Sequence, residues 1–302
     1  NTFNKCYSLK YFTNLSARDN KSKTNESILI SYNMTDALYQ TDFLNSSELA
    51  SYINECSEII FEVQYPSSNF SNIYQKLTSV RQNHSSKMKI GVFCTQMETT
   101  DKYFYNNKEI NYIRFDSNIK RTPNDDNDSS NGSFESCTSL IEVFVPSSLN
   151  KIGNRTFRGC SSLKKINFEL PSSVNSIGNG AFQSCSSLTQ ISIPSSVNSI
   201  DGSAFSSCSK LDKIIINPNG EERIQYFEDA FLFLKSNPKS DIFDTLLWAK
   251  RTITTANITQ SIRIIGHNAF QSCSSLTQIS IPSSINSIGD YAFQSCSSLT
   301  QI

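Results

Sequence analysis

Between Val174 and Ile216 the apolar positions write one pattern twice, VNSIGNGAFQSCSSLTQISIPSS and then VNSIDGSAFSSCSKLDKIII. Phe182, Cys185, Leu188, Ile191 and Ile193 recur 23 residues later as Phe205, Cys208, Leu211, Ile214 and Ile216. Within each copy, L-T-Q-I-S-I alternates apolar and polar residues, which predicts a short strand with one side in a core and one side in water. Pro194 follows that strand and ends its pairing. Gly178 supplies a backbone corner, and the phenylalanine fills the far side of the turn of chain. A unit of this size cannot bury enough apolar surface to offset the ordering of its own backbone, so it requires neighbours stacked on it. The pattern therefore predicts a solenoid in which successive coils lay parallel strands beside one another.

A period of 20–30 residues containing L-x-x-I-x-I is the leucine-rich-repeat signature. The expected fold is a leucine-rich-repeat solenoid, mainly β, with a parallel strand ladder on one face and short helices or 3-10 turns on the other. The N-terminal coils lean towards α/β. Residues 1–12 read as a partial repeat with Phe3, Cys6, Leu9 and Phe12 in frame; residues 13–115 read as irregular, degenerate coils with helices. In that region Ile28-Leu29-Ile30 reads as a strand, SELASYINEC as a short helix, and IIFEVQYP as L-x-x-I-x-I-P through Ile60, Val63, Tyr65 and Pro66. Ser68 caps a helix over NFSNIYQKLTSVRQN with Phe70, Ile73, Leu77 and Val80 on one side, and KIGVFC is the next strand. This stretch is either a pair of long helical coils of the same solenoid, the preferred reading, or a small inserted α/β unit.

Further along, YFYNNKEINYIRF keeps the spacing, with Asn107 at the cysteine position. The central strand positions align as Val63, Ile90, Ile113, Val143, Ile166, Ile191 and Ile214. Residues 116–133 form a polar loop, 134–216 regular 23-residue repeats, 217–261 an expanded repeat, and 262–302 regular repeats that stop in mid-coil. In the expanded repeat, Ala230-Phe231 sits where A-F belongs. A hairpin is predicted with strands Phe231–Leu234 and Leu246–Ala249, because Asn237-Pro238 breaks a helix there. Both ends read as cut from a longer array.

Composition removes several function classes. The 302 residues carry 27 basic and 27 acidic side chains, so no basic excess exists to condense on phosphate, and nucleic acid is not an expected partner. No run of about 18 apolar residues spans a bilayer, and the first residues lack the apolar core of a signal peptide.

PSSVNSIGNGAFQSCSSLTQISIPSS closely resembles the BspA-like, or treponemal-type, leucine-rich repeats of surface proteins from bacteria and parasitic protists. The resemblance is strong over 130–216 and 262–302, weak over 47–115, and a half-coil at the start. The stretch from NPNGEERIQYFEDAFLFL to TTANITQSIRIIG resembles the expanded coil that family often carries. It implies a non-enzymatic cell-surface or extracellular protein that adheres to a host-cell or matrix protein, or self-associates, and that acts as a surface antigen. An intracellular, cytoplasmic scaffold with the same fold is the alternative, since neutral charge and reduced cysteines suit it equally.

No catalytic, cofactor or metal constellation competes with that reading. Of nine cysteines, Cys6, Cys137, Cys160, Cys185, Cys208, Cys273 and Cys296 share one repeat position. Side chains stacked in register sit about 4.8 Å apart and point the same way, whereas a disulfide needs a Cβ–Cβ distance near 3.8 Å with crossed geometry. A column of free buried thiols follows, and a row offers no tetrahedral zinc site. Cys56 and Cys94 have no assigned place. His84 and His267 lie in no triad-like setting or H-E-x-x-H, and there is no G-x-S-x-G, P-loop or G-x-G-x-x-G motif. Asp125, Asp126 and Asp128 suggest calcium, but with Gly132 at position six of an EF-hand loop, Thr138 stands where glutamate belongs. Eleven N-x-S/T triplets, among them Asn14, Asn33, Asn69, Asn131, Asn154 and Asn257, slightly exceed the about seven that composition gives. A catalytic centre would have to hide in 13–115, which holds one histidine and no motif. The remaining candidate is the outer face of the strand ladder. Glu142, Phe144, Lys165, Asn167, Gln190, Ser192, Lys213, Ile215, Gln278 and Ser280 flank the central strand positions. On one sheet they would form a continuous strip for a protein ligand, with Phe144 and Ile215 as apolar anchors.

Overall fold

The computed structural model describes residues 9–14, 27–32, 58–66, 70–82, 88–97, 104–122, 132–216, 223–228, 230–237 and 239–302. The chain divides into two compact units, Asn1–Gln96 with Glu109–Asp116, and Met97–Lys108 with Ser117–Ile302. The expected helix over SELASYINEC, the Ser68 cap, Phe3, Cys6, His84, Cys56 and the acidic loop all lie outside the described residues.

The first unit holds β1 (Leu9–Asn14), β2 (Ser27–Tyr32), β3 (Glu58–Tyr65), helix α1 (Phe70–Gln82), β4 (Met88–Cys94) and β5 (Ile110–Phe115). β2, β3, β4 and β5 run parallel in that order. β1 runs antiparallel to β2, where a coil stacked in frame would run parallel. α1 follows the expected helix and buries Phe70 and Leu77. Val63, Val92 and Ile113 face one another across the ladder, so Val92, not Ile90, holds the central position. A two-residue slip keeps every side chain on its own face, so alternation alone cannot detect it. The seven-residue β4 and the irregularity between Ile90 and Gly91 absorb the shift.

The second unit is the repetitive one, a β-solenoid as the period predicts. Its principal strands β6 (Glu142–Val145), β8 (Lys165–Phe168), β10 (Gln190–Ile193) and β12 (Lys213–Ile216) bury Val143, Ile166, Ile191 and Ile214. Each coil also contributes a second strand of two residues, which the sequence pattern does not announce: β7 (Lys151–Ile152), β9 (Ser176–Ile177) and β11 (Ser199–Ile200). These pair in parallel as a separate ladder. On the opposite side the chain runs through consecutive turns rather than helix. The amide of each column cysteine bonds the carbonyl three residues back, as in Cys185 N–H to Phe182 O at 3.2 Å, and Leu188 N–H does the same to Cys185 O at 3.0 Å. Asn107 N–H bonds Phe104 O in the same way, which places Asn107 at the cysteine position.

Two columns fill the interior. Phe104, Phe134, Phe157, Phe182 and Phe205 stack with ring centroids 5.3–5.9 Å apart and planes within 14°. Beside them the thiols of Cys137, Cys160, Cys185 and Cys208 each donate to the carbonyl of the phenylalanine one coil back, at 3.0–3.2 Å. The serines of P-S-S serve a similar end: Ser196 Oγ donates to Val174 O and Ser284 Oγ to Ile262 O. The phenylalanine carbonyls thus accept two bonds, one from an amide three residues on and one from the thiol of the next coil, while the Val174 and Ile262 carbonyls each gain a side-chain partner.

The expanded repeat forms β13 (Ile224–Phe227), β14 (Phe231–Leu234) and β15 (Thr245–Ala249), an antiparallel set that contains the expected hairpin plus one additional strand. Phe231 is not a rung of the phenylalanine column. It lies in β14 and meets Phe270 edge-on at 6.4 Å, because antiparallel pairing on both sides holds it in a strand. Parallel stacking resumes with β16 (Thr255–Asn257), β17 (Ile264–Ile265), β18 (Gln278–Ser280) and β19 (Ser287–Ile288). Phe270 and Phe293 stack again at 5.1 Å.

Candidate functional site

The ten strip residues all lie in the second unit, each flanking a buried strand position. Lys165, Gln190, Lys213, Gln278 and Ser280 are exposed; Glu142, Phe144, Asn167, Ser192 and Ile215 are partly buried. They do not share one sheet. Glu142 and Phe144 pair with Lys165 and Asn167, Gln190 and Ser192 with Lys213 and Ile215, and Gln278 and Ser280 with Thr255 and Asn257. The expected continuous strip is thus three ladders. One break falls where Ile166 and Ile191 are 25 residues apart instead of 23, and another at the expanded repeat.

Lateral pairing organises the first ladder. Lys165 Nζ lies 3.1 Å from Glu142 Oε1, and Asn167 Nδ2 donates to the same oxygen at 2.6 Å. The ion pair is largely solvated, so it contributes little to stability and mainly fixes side-chain positions. Thr255 and Asn257 are both exposed on the third ladder and belong to the same face. Sequence reasoning missed them because Ala256 stands where an isoleucine was expected.

An equivalent outer face exists in the first unit. Arg114 on β5 donates from Nε to Glu62 Oε2 at 2.9 Å, and its guanidinium lies 3.7 Å over the Phe93 ring. Glu62 sits on β3 and Phe93 on β4, so the arginine reaches across an intervening strand whose residue opposite Glu62 is Gly91. The alternation in IIFEVQY and INYIRF carried the signal for these outward positions.

The thiol column offers no chemistry. Burial pushes Cys160 and Cys185 well above the ordinary thiol range and Cys208 up to about 12; such thiols stay protonated and unreactive. Among the described residues all cysteines are free, and no group of three or more His, Cys, Asp or Glu converges to hold a metal ion. His267 Nδ1 accepts the Asp290 N–H at 3.0 Å, the place where Asn154 Oδ1 accepts from Asn179 in an earlier coil. No helix among the described residues is long and apolar enough to cross a membrane.

The repeat geometry agrees with comparison to known families. The BspA type leucine rich repeat region matches residues 127–236 and 241–302 in six copies. The chain belongs to the BspA-type leucine-rich-repeat family. Solved structures support the same fold for this BspA-type chain. A leucine rich cell surface protein from Faecalibacterium prausnitzii superposes with a TM-score of 0.55 at 19% identity, over 96% of this chain and 73% of that one. The pneumococcal vaccine antigen PcpA superposes with a TM-score of 0.52 at 13% identity, over 94% of this chain and 65% of that one. No curated protein matches the sequence.

Proposed function

We propose that this BspA-type chain is a non-enzymatic protein-interaction module, displayed at the cell surface or outside the cell. It would engage a host-cell or matrix protein, or another copy of itself, through the outer face of its strand ladders. The observation that carries the reading is the row of outward side chains held in register on rigid parallel ladders, with the column thiols of the interior kept protonated. Many weak contacts along such a face add up, and arrayed copies multiply them. Similarity to a leucine rich cell surface protein and to a vaccine antigen supports the surface placement.

The test is a binding screen against matrix proteins and cell lysate with the wild type and the triple variant Phe144→Ala, Lys165→Ala, Lys213→Ala. The expected result is a captured protein whose binding weakens at least about tenfold in the variant, as loss of a central anchor predicts. Equal capture by both forms would remove the strip from consideration. Labelling of intact cells with a membrane-impermeant reagent addresses location; a chain labelled only after lysis would be an intracellular scaffold instead.

A further inference from the structure

We propose that the boundary between the coil ending in β12 and the coil built from residues 245–258 is a one-sided joint, clasped on the turn face and able to part on the strand face. The proposal does not depend on what the strip binds.

The geometry begins with a shortened coil. Leu246 pairs with Ile265 and Ala256 with Ile279. From Leu246 to Ala256 is ten residues (256 − 246), where the next coil takes fourteen (279 − 265). The short coil therefore cannot extend across the turn face, and the coils on either side of it meet there directly. A Cβ on Gly202 would lie 2.9 Å from His267 O, and Asn268 Nδ2 donates to Ser203 Oγ at 3.0 Å. Gln271 Oε1 accepts the Ser207 N–H at 3.0 Å and the Ser206 hydroxyl, while its Nε2 donates to Gln294 Oε1 at 2.7 Å. In regular coils that same amide reaches a backbone carbonyl of the next coil, as Ser184 N–H does with Ser206 O at 2.8 Å and Ser272 N–H with Gln294 O at 2.8 Å. Here a side chain replaces the missing backbone.

The strand face is tied at its edge by side chains, Lys250 Nζ lying 3.0 Å from Asp212 Oδ1 and the Tyr226 hydroxyl donating to Asp212 O at 3.5 Å, rather than by backbone. One ladder ends at β12 and the next begins at β16. Among the described residues no backbone hydrogen bond joins these two strands. The apolar core is divided at the same place. The buried cluster of the C-terminal coils begins at Phe231 and runs to Ala292, leaving out Phe205, Cys208, Leu211 and Ile214, which are buried as well.

Arg251, 6% exposed, lies at this division within the thiol column, its Nη1 3.8 Å from Cys273 Sγ. Its Nη1 donates to Ala269 O at 3.2 Å, and its plane faces Trp248 with the Cζ 5.4 Å from the ring centroid. Arg251 Nε and Nη2, together with Trp248 Nε1, have no acceptor among the described residues. Each unsatisfied donor costs free energy that hydration would return, and a buried cation without a carboxylate costs more. Parting of the strand face admits water to three donors at once, while the Gln271 clasp holds the turn face. The structure thus combines a broken ladder and a divided core on one side with a hydrogen-bonded edge on the other and an under-satisfied cation beneath that edge, the elements of a hinge.

Trp248 is the only tryptophan of the chain, so acrylamide quenching of its fluorescence reads the joint in the full chain. Quenching rate constants are followed through increasing urea beside far-UV circular dichroism. The expected result is that Trp248, 2% exposed, becomes quenchable at urea concentrations well below the loss of secondary structure. Arg251→Met, which keeps the bulk and removes the buried charge, should lower the quenching rate constant at least about threefold; Gln271→Ala should raise it. Quenching that stays minimal and rises only with global unfolding would overturn the joint. So would an Arg251→Met protein quenched as readily as the wild type. Should Arg251→Met fail to fold, the wild-type urea profile and Gln271→Ala decide.

Discussion

The thiol of Cys208 donates to the carbonyl oxygen of Phe182, 3.0 Å away and one coil earlier. The same bond recurs from Cys185 to Phe157, from Cys160 to Phe134 and from Cys296 to Phe270. Cysteine suits the position because it is small, apolar and still a weak donor. Cys208→Ala removes the bond, leaves the Phe182 carbonyl with the Cys185 N–H alone and opens a sulfur-sized void. We expect a loss of about 1–3 kcal/mol in urea unfolding. An unchanged midpoint would mean that the bond contributes nothing.

The same column sets an alkaline limit on stability. Burial raises Cys208 from the ordinary value of 9.0 to about 12, and raises Cys160 and Cys185 well above it. A thiol whose folded pKa is raised favours folding fully below its unfolded pKa, and that contribution is lost as pH rises towards the folded value. Unfolding free energy should therefore hold up to about pH 9 and fall between pH 9 and 12, by about 1.4 kcal/mol per pH unit for each thiol that ionises only on unfolding. Urea titrations between pH 7 and 10.5 check this. Cys208→Ala should show the shallower slope; an equal slope would assign the loss to other groups.

Glycine in S-I-G answers to close approach between coils. A Cβ on Gly178 would lie 2.4 Å from Asn154 Oδ1 and 2.9 Å from Asn154 N, and one on Gly289 would lie 2.5 Å from His267 N. Backbone cannot yield as a flexible side-chain tip does. Gly178→Ala and Gly289→Ala should each destabilise by about 1–3 kcal/mol through overpacking, read as a lower thermal midpoint.

These examples show which parts of the fold were legible in the sequence. The period was, because every regular coil repeats one environment: Phe182 and Phe205 occupy equivalent places, so the residue type recurs. The two-residue strands such as Ser176–Ile177 were not, since two residues are too few for alternation. The register of β4 escaped because a slip of two preserves both faces. At the candidate site, Lys213 and Gln278 were legible as outward positions. That they lie on separate ladders was not, because the break arises where the shortened coil at 245–258 loses the period. Burial of Arg251 left no trace in the sequence, its cause being the space left by four missing residues.

Backbone strain in the turns gives a prediction of opposite sign. The residue before each column cysteine has a left-handed backbone, with φ of 61° at Ser184 and 71° at Gly159. Serine in that region costs about 1–2 kcal/mol, partly offset by the larger unfolded-state entropy of glycine, about 0.5–1 kcal/mol. Ser184→Gly should then be neutral to stabilising by up to about 1 kcal/mol, and Gly159→Ser destabilising. If both substitutions destabilise, the serine hydroxyl has a role of its own.

On the outer face of the first unit, Glu62 is buried at 5% exposure beneath the partly exposed Arg114 guanidinium. The arginine matters there less for attraction than for what its loss would strand. Arg114→Ala leaves a carboxylate covered by protein without its fork partner, a loss of about 1–3 kcal/mol once partial exposure is allowed for. Arg114→Lys should recover only part of this, because an ammonium neither forks Glu62 nor lies flat on Phe93. The double variant Glu62→Gln, Arg114→Ala removes the stranded charge and should be more stable than Arg114→Ala alone. A double-mutant cycle in urea measures the coupling. Additive losses would show that Glu62 finds water when Arg114 is gone, and that the outer face is softer than its hydrogen bonds suggest.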